Sequence, residues 1–226
     1  MKNIRLNISD NDFLKIFLIK DYSLLWFSSF TSMLSMQIRI IATGFILYDI
    51  TGSGLSLGML GIIQLFFQLP SILYGGVLAD FFKRTTIITI SQSFGTVVIF
   101  ILFYLTATEL INEWHIYIST ALLSINSTIG GPARSALTAN LVPKKLLINA
   151  VAANTATMQI GSVAAPILFG LLTVSFGAPY PLLIGSIAAL ISAITCIIIK
   201  NDNYIKNTNK MSPIKNIVEG FIYVKE

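Results

Sequence analysis

Charge is scarce in this chain of 226 residues: Asp, Glu, Lys and Arg make up 11% of it, against roughly a quarter in soluble domains. With 54% hydrophobic residues, that deficit excludes a soluble globular domain and leaves an integral membrane protein. Cysteine is reduced to Cys196, which excludes an intrachain disulfide and implies no redox compartment. Histidine is reduced to His115; no metal site and no cofactor are expected. No secretory signal is expected either, since Met1 to Asp21 is polar and mixed in charge and the first apolar stretch is too long for a signal core. That stretch is expected to remain as a first span. The net charge of +5 is spread over many polar segments without forming a patch. The basic residues therefore read as membrane anchors, and no nucleic acid partner is expected.

A helix needs about 20 apolar residues to cross the hydrocarbon core, and six stretches qualify: Tyr22 to Tyr48, Ser56 to Gly76, Thr85 to Thr106, His115 to Leu141, Ile148 to Val174 and Pro181 to Ile199. The organisation predicted is a cytoplasmic segment at 1–21, a six-helix transmembrane bundle at 22–199, and a cytoplasmic linker with an amphipathic helix at 200–226. Orientation follows from Lys and Arg. Lys2, Arg5, Lys15 and Lys20 precede span one; Lys83 and Arg84 follow span two; Lys144 and Lys145 follow span four; the five lysines from Lys200 to Lys225 follow span six. The loops after spans one, three and five carry no basic residue, and Asp49, Glu109 and Glu113 lie there. Both termini are therefore expected in the cytoplasm, with the chain multi-pass in the cell (inner, cytoplasmic) membrane.

Two basic residues fall within spans, Arg39 and Arg134. Arg39 lies roughly 14 Å inside the outer boundary of span one at about 1.5 Å per residue, where a charge usually faces a bundle interior or a water-filled path. Arg134, near the inner end of span four, is close enough to snorkel or to bond neighbouring carbonyls. Gln37 in span one, Gln64 and Gln68 one turn apart in span two, Asn126 in span four and Gln159 in span five need partners in a dry bundle. They are candidates for lining a cavity or for gluing helices. Gln92 and Ser93 sit in a third span that otherwise reads as scaffold.

Other patterns carry less weight. Gly54-Leu55-Ser56-Leu57-Gly58 fits the G-x-S-x-G of serine hydrolases, with His115 expected on the same side of the membrane. The motif needs a strained strand-to-helix elbow, whereas here it opens a helix whose small residues at 54, 58 and 61 look like close packing. No enzyme is expected. Asp10 and Asp12 can cap a short amphipathic helix, with Leu14, Phe17 and Leu18 on one face, lying in the inner interface. Ser212-Pro213 opens a similar piece after a linker rich in Asn and Lys. Pro70 to Gly75 resembles Pro166 to Gly170 three spans later, an offset at which a repeat would be inverted in topology.

The stretch from Gly75 to Arg84, and Gly161, Ala165, Pro166 and Gly170, resemble two signatures of the major facilitator superfamily. The first is its loop between helices two and three, with Gly76, Asp80 and Arg84 each four apart, and the second is its helix-five antiporter motif. Tyr48 with Thr51-Gly52-Ser53, and Pro132-Ala133-Arg134 through Asn149-Ala150-Val151, look like the drug and siderophore exporter branch, which includes the enterobactin and macrolide exporters. Phe81, Lys83 and Thr85 depart from the loop signature, and no membrane-embedded acid appears in span one.

The resemblance implies an all-α membrane protein with six transmembrane helices in a 3+3 inverted repeat, half of a twelve-helix major facilitator fold. It implies efflux of drugs, amphipathic compounds or siderophores, with a small-molecule substrate held in a cavity between two halves. Asp80 and Arg84 would lock one conformational state, and span five would pack on the missing carboxy-terminal half, or on a homodimer partner. The alternative is a non-transporting truncated or regulatory membrane subunit that pairs with another half. Beyond these, the lipid bilayer is the one partner expected.

Overall fold

The computed structural model describes residues 10–81 and 83–200, with side chains described for 13–71 and 83–200. The expected helix at Ser212 lies outside the described residues, and so do the surroundings of Gly76 and the side chain of Asp80. Among the described residues every regular element is helical. A short helix α1 (Asp10–Lys15) runs into one 3-10 turn (Ile16–Leu18). Then follow α2 (Lys20–Thr51), α3 (Gly54–Phe81), α4 (Arg84–Ala107), α5 (Glu113–Leu141), α6 (Leu147–Phe176) and α7 (Tyr180–Ile197).

Five of these, α2, α3 as far as Ser71, α4, α6 and α7, are long and apolar enough to cross a membrane. The sequence predicts six. Helix α5 has 29 residues, about 43 Å of rise, so its length suffices, but Ser, Thr, Asn and Arg dilute its apolar character. Helices α2 to α6 run beyond the apolar cores that predict them. Main-chain hydrogen bonding carries a helix on through the interfacial layer after the hydrocarbon requirement is met.

The ends are set by local chemistry. Gly52 stops α2 in the left-handed region (φ 60°), its N–H bonding Tyr48 O, a conformation that costs glycine nothing. Asn112 and His115 form a reciprocal capping box at the start of α5. Two ends of the bundle are thereby distinguished. The acidic end carries Glu109 and Glu113, and the basic end carries Lys20, Lys83, Lys144 and Lys145.

Packing follows a definite pattern. Helices α4 and α7 lie against each other, α2 packs on α7 and α6, and α5 packs on α4 and α3. Near the acidic end a core gathers Ala42 and Leu47 from α2, Ile99 and Leu102 from α4, Ile116 and Leu123 from α5, and Leu182 from α7. A second core gathers Leu25, Ile88, Ala133, Leu137 and Cys196 towards the basic end. Cys196 is fully buried, its Sγ donating weakly to Thr85 O at 3.7 Å. Lipid is as apolar as leucine, so helices associate through close approach and interhelical hydrogen bonds. Gly185 of α7 is such a point: a Cβ there would sit 3.7 Å from Ser35 O of α2. By contrast, nothing in α3 from Gly54 to Ser71 is buried. Gly54, Gly58 and Gly61, expected to pack closely, face open space, because the covered side of α3 is the one turned to α5.

Candidate functional site

The polar interior is built on α2. Ser28 and Ser192 of α7 exchange hydrogen bonds: each hydroxyl reaches the other's carbonyl (3.0 and 2.8 Å), and the two oxygens are 2.9 Å apart. Arg134 of α5 donates from Nη1 to Ser29 Oγ at 2.9 Å and to Ser28 Oγ at 3.3 Å. One turn further along α2, Ser32 Oγ accepts from Gln92 Nε2 of α4 at 2.8 Å. Three neighbouring helices are thus tied to one serine stripe, and the guanidinium is satisfied in part by neutral oxygens. Arg134, placed by its position in the span to snorkel or to bond carbonyls, bonds serine hydroxyls of α2 instead. Ser28, Ser29 and Ser192 are missed by sequence reasoning, since lone serines in apolar spans usually bond back to their own helix.

Arg39 continues this stripe. It lies seven residues beyond Ser32, hence on the same face of α2. The antiparallel register set by Ser29 and Arg134 brings it level with the segment around Ser124 of α5. It is half-buried, and among the described residues its guanidinium has no hydrogen bond or ion pair. A guanidinium held in a low-dielectric bundle with its donors free is suited to take a carboxylate or phosphate by paired hydrogen bonds.

The other candidate residues divide. Asn126 is committed to α4: its Nδ2 donates to Ser91 O at 2.9 Å, while Ser91 Oγ donates to Asn126 O at 3.4 Å. Gly130, one turn on, leaves room for that hydroxyl, since a Cβ there would meet Ser91 Oγ at 3.0 Å. Gln37 and Gln68 are half-buried, Gln64 and Gln159 are exposed, and none of the four side-chain amides has a hydrogen-bond partner among the described residues. Gln37 lies one turn beyond Met33, whose side chain abuts Gly161, which places it on the side of α2 that faces α6. Among the described residues no hydrogen bond joins these amides to Arg39.

The two signature stretches also divide. Arg84 Nη1 donates to Ala136 O at 3.0 Å, which places a cation at the C-terminal turns of α5, where the helix dipole favours it. In α6, Gly161 and Ala165 are buried, with a Cβ at Gly161 only 2.9 Å from Met33 Cγ. Pro166 is exposed and Gly170 faces open space. The motif therefore presents two small residues to α2 and two residues to another side. As for the hydrolase-like motif, it opens α3, and His115 Nδ1 is occupied in accepting from Asn112 N at 3.2 Å.

Residues 25–219 match the Major Facilitator Superfamily, and the chain belongs to that family. It is 25% identical over 173 residues to the uncharacterized MFS-type transporter YfiS of Bacillus subtilis (strain 168), an alignment covering 74% of this chain and 40% of that protein. The chain thus spans less than half the length of that relative. Membership, with its apolar helices, makes this an integral membrane protein of a transporter superfamily, a family that is generally not enzymatic.

Proposed function

We propose that the chain forms the amino-terminal six-helix half of an exporter of amphipathic compounds, drugs or siderophores, in the inner membrane with both termini in the cytoplasm. Helix α5 is the sixth span in this reading, and the helices form a 3+3 inverted repeat that exchanges α2 with α5, α3 with α6 and α4 with α7. The packing pattern supports it, because the exchange maps α2 on α7 onto α5 on α4, α2 on α6 onto α5 on α3, and the α4 and α7 pair onto itself. Asp80 and Arg84 act on the conformational equilibrium, with Gly170 and Pro166 turned to the other half.

The observation that carries the reading is Arg39, a half-buried cation whose guanidinium has no partner among the described residues, on the polar stripe of α2. It recruits an anionic group of the substrate, or an acid of the other half, with Gln37, Gln64, Gln68 and Gln159 lining the path and Asn126 holding α4 in place beside it. The test is export from vesicles of an amphipathic anion and of its neutral amide, by the chain together with its second half. Arg39→Gln is expected to lower transport of the anion roughly tenfold, the worth of about 1.4 kcal/mol, and to spare the amide. Unchanged transport of the anion by the variant, or an equal loss of anion and amide relative to the parent, would sink the role.

A regulatory, non-transporting subunit is the second reading, favoured by the uncovered face of α3. Vesicles containing this chain with each candidate second half separate the two, since a regulator changes another transporter's rate without adding a substrate of its own.

A further inference from the structure

At the basic end, the connection before α2 is a strap bound to the bundle. Ile16 is fully buried, and with Tyr22, Val142, Ala150 and Ala153 it forms a separate core to which Phe17, Ile19, Trp26 and Leu146 contribute. Tyr22 Oη donates to Ala150 O at 3.2 Å, and Ser23 Oγ to Phe17 O. The strap is therefore fastened to α2, to α6 and to the α5–α6 connection at once.

Its outer side is different. Leu14 and Leu18 are 63% and 82% exposed, and Phe13 is exposed beside them. Lys20 follows the strap and is exposed; Lys144 and Lys145, both exposed, sit between Val142 and Leu146, the two residues of the connection that pack beside Ile16. Lys15 is exposed and already engaged, Asp21 is buried with a partner of its own, and Asp10 and Asp12 lie at the far end of α1. Folding thus brings Lys144 and Lys145, 124 or more residues from Lys20 in sequence, to the connection that packs on the strap.

We propose that this surface is a binding site for an anionic phospholipid of the inner leaflet. Leu14 and Leu18 enter the acyl layer, and Lys20, Lys144 and Lys145 hold the headgroup phosphate. A free phosphate would satisfy the lysines and leave the ridge exposed to water; a neutral lipid would cover the ridge and leave the lysines without an anion. The combination selects a molecule with both parts. Because the strap also pins α6 to α2, lipid bound there fixes the relation of those two helices.

Trp26, packed on Phe17 at 5.2 Å, provides the readout. The full chain carrying Trp114→Phe, which leaves Trp26 as the sole indole, is placed in nanodiscs of phosphatidylcholine containing brominated phosphatidylglycerol, and quenching gives the affinity relative to brominated phosphatidylcholine. Preference for the anionic lipid is expected, falling about fivefold for each lysine removed in Lys144→Gln and Lys145→Gln. Leu14→Ser with Leu18→Ser should reduce quenching by both lipids. Unchanged quenching by brominated phosphatidylcholine in the lysine variants shows that the strap remains seated. No preference in the parent chain, or a preference that survives both lysine changes, would overturn the site. Competition by soluble glycerol phosphate as effective as that of the lipid would reassign it to free phosphate.

Discussion

At the scale of single residues, the close contacts of this bundle depend on what is absent as much as on what is present. Gly161 leaves a space that Met33 fills, so Gly161→Ala should destabilise the chain by about 1 kcal/mol or more, measured as thermal unfolding in nanodiscs. Met33 is flexible, and Met33→Ala in the same chain should return most of the loss. The pair Ser28 and Ser192 is the converse, held by hydroxyls rather than by space. A double-mutant cycle with Ser28→Ala and Ser192→Ala is expected to give a coupling of about 0.6 kcal/mol, the average for such bonds in membranes. Zero coupling would mean that each hydroxyl can turn back to its own helix without cost. Arg134 raises the stakes of this pair, because it loses one of its two serine acceptors when Ser28 is replaced.

At the scale of helices, the elements differ in how far they are committed to the chain's own interior. Leu102 of α4 and Leu182 of α7 are buried almost completely, whereas Leu65 and Phe66 of α3 are largely exposed. Leu102→Ala should therefore cost about 2–5 kcal/mol, and Leu65→Ala or Phe66→Ala less than about 0.5 kcal/mol. If transport by the chain together with its proposed second half drops in the α3 variants while unfolding stays unchanged, that face works in assembly and not in folding. The existence of these helices was legible because apolar length is a demand the bilayer imposes on the sequence. Their faces were not, since a helix that is apolar all round has no single stripe to point at its neighbours. Glycines show the difference: Gly54, Gly58 and Gly61 look like a packing stripe and face open space, while Gly130 and Gly161 meet Ser91 and Met33. Arg134 was half-legible in the same way, as a cation near helix ends whose serine acceptors lie more than a hundred residues away.

At the scale of the molecule, the two ends of the bundle carry opposite charge, and the proposed orientation turns the basic end to the cytoplasm. Variants with one added cysteine, at Glu109 or at Lys145, in connections at opposite ends, should react with a membrane-impermeant maleimide from opposite sides of intact cells. Glu109→Cys should react from outside, and Lys145→Cys only after permeabilisation; the reverse pattern would invert the topology. Candidate-site residues outside this polarity, such as Gln64 and Gln159, were legible as polar groups in spans and not as members of a cluster, because their level along the helix says nothing of the azimuth. The sealed environment of Cys196 has a practical consequence for such work. A thiol must be exposed and ionised to react, and this one has 0% exposure against the start of α4. The unaltered chain should therefore stay unlabelled in its folded state and supply its own blank. Heating it in the presence of a membrane-permeant maleimide turns that silence into a signal, the onset of labelling marking the temperature at which α7 parts from α4.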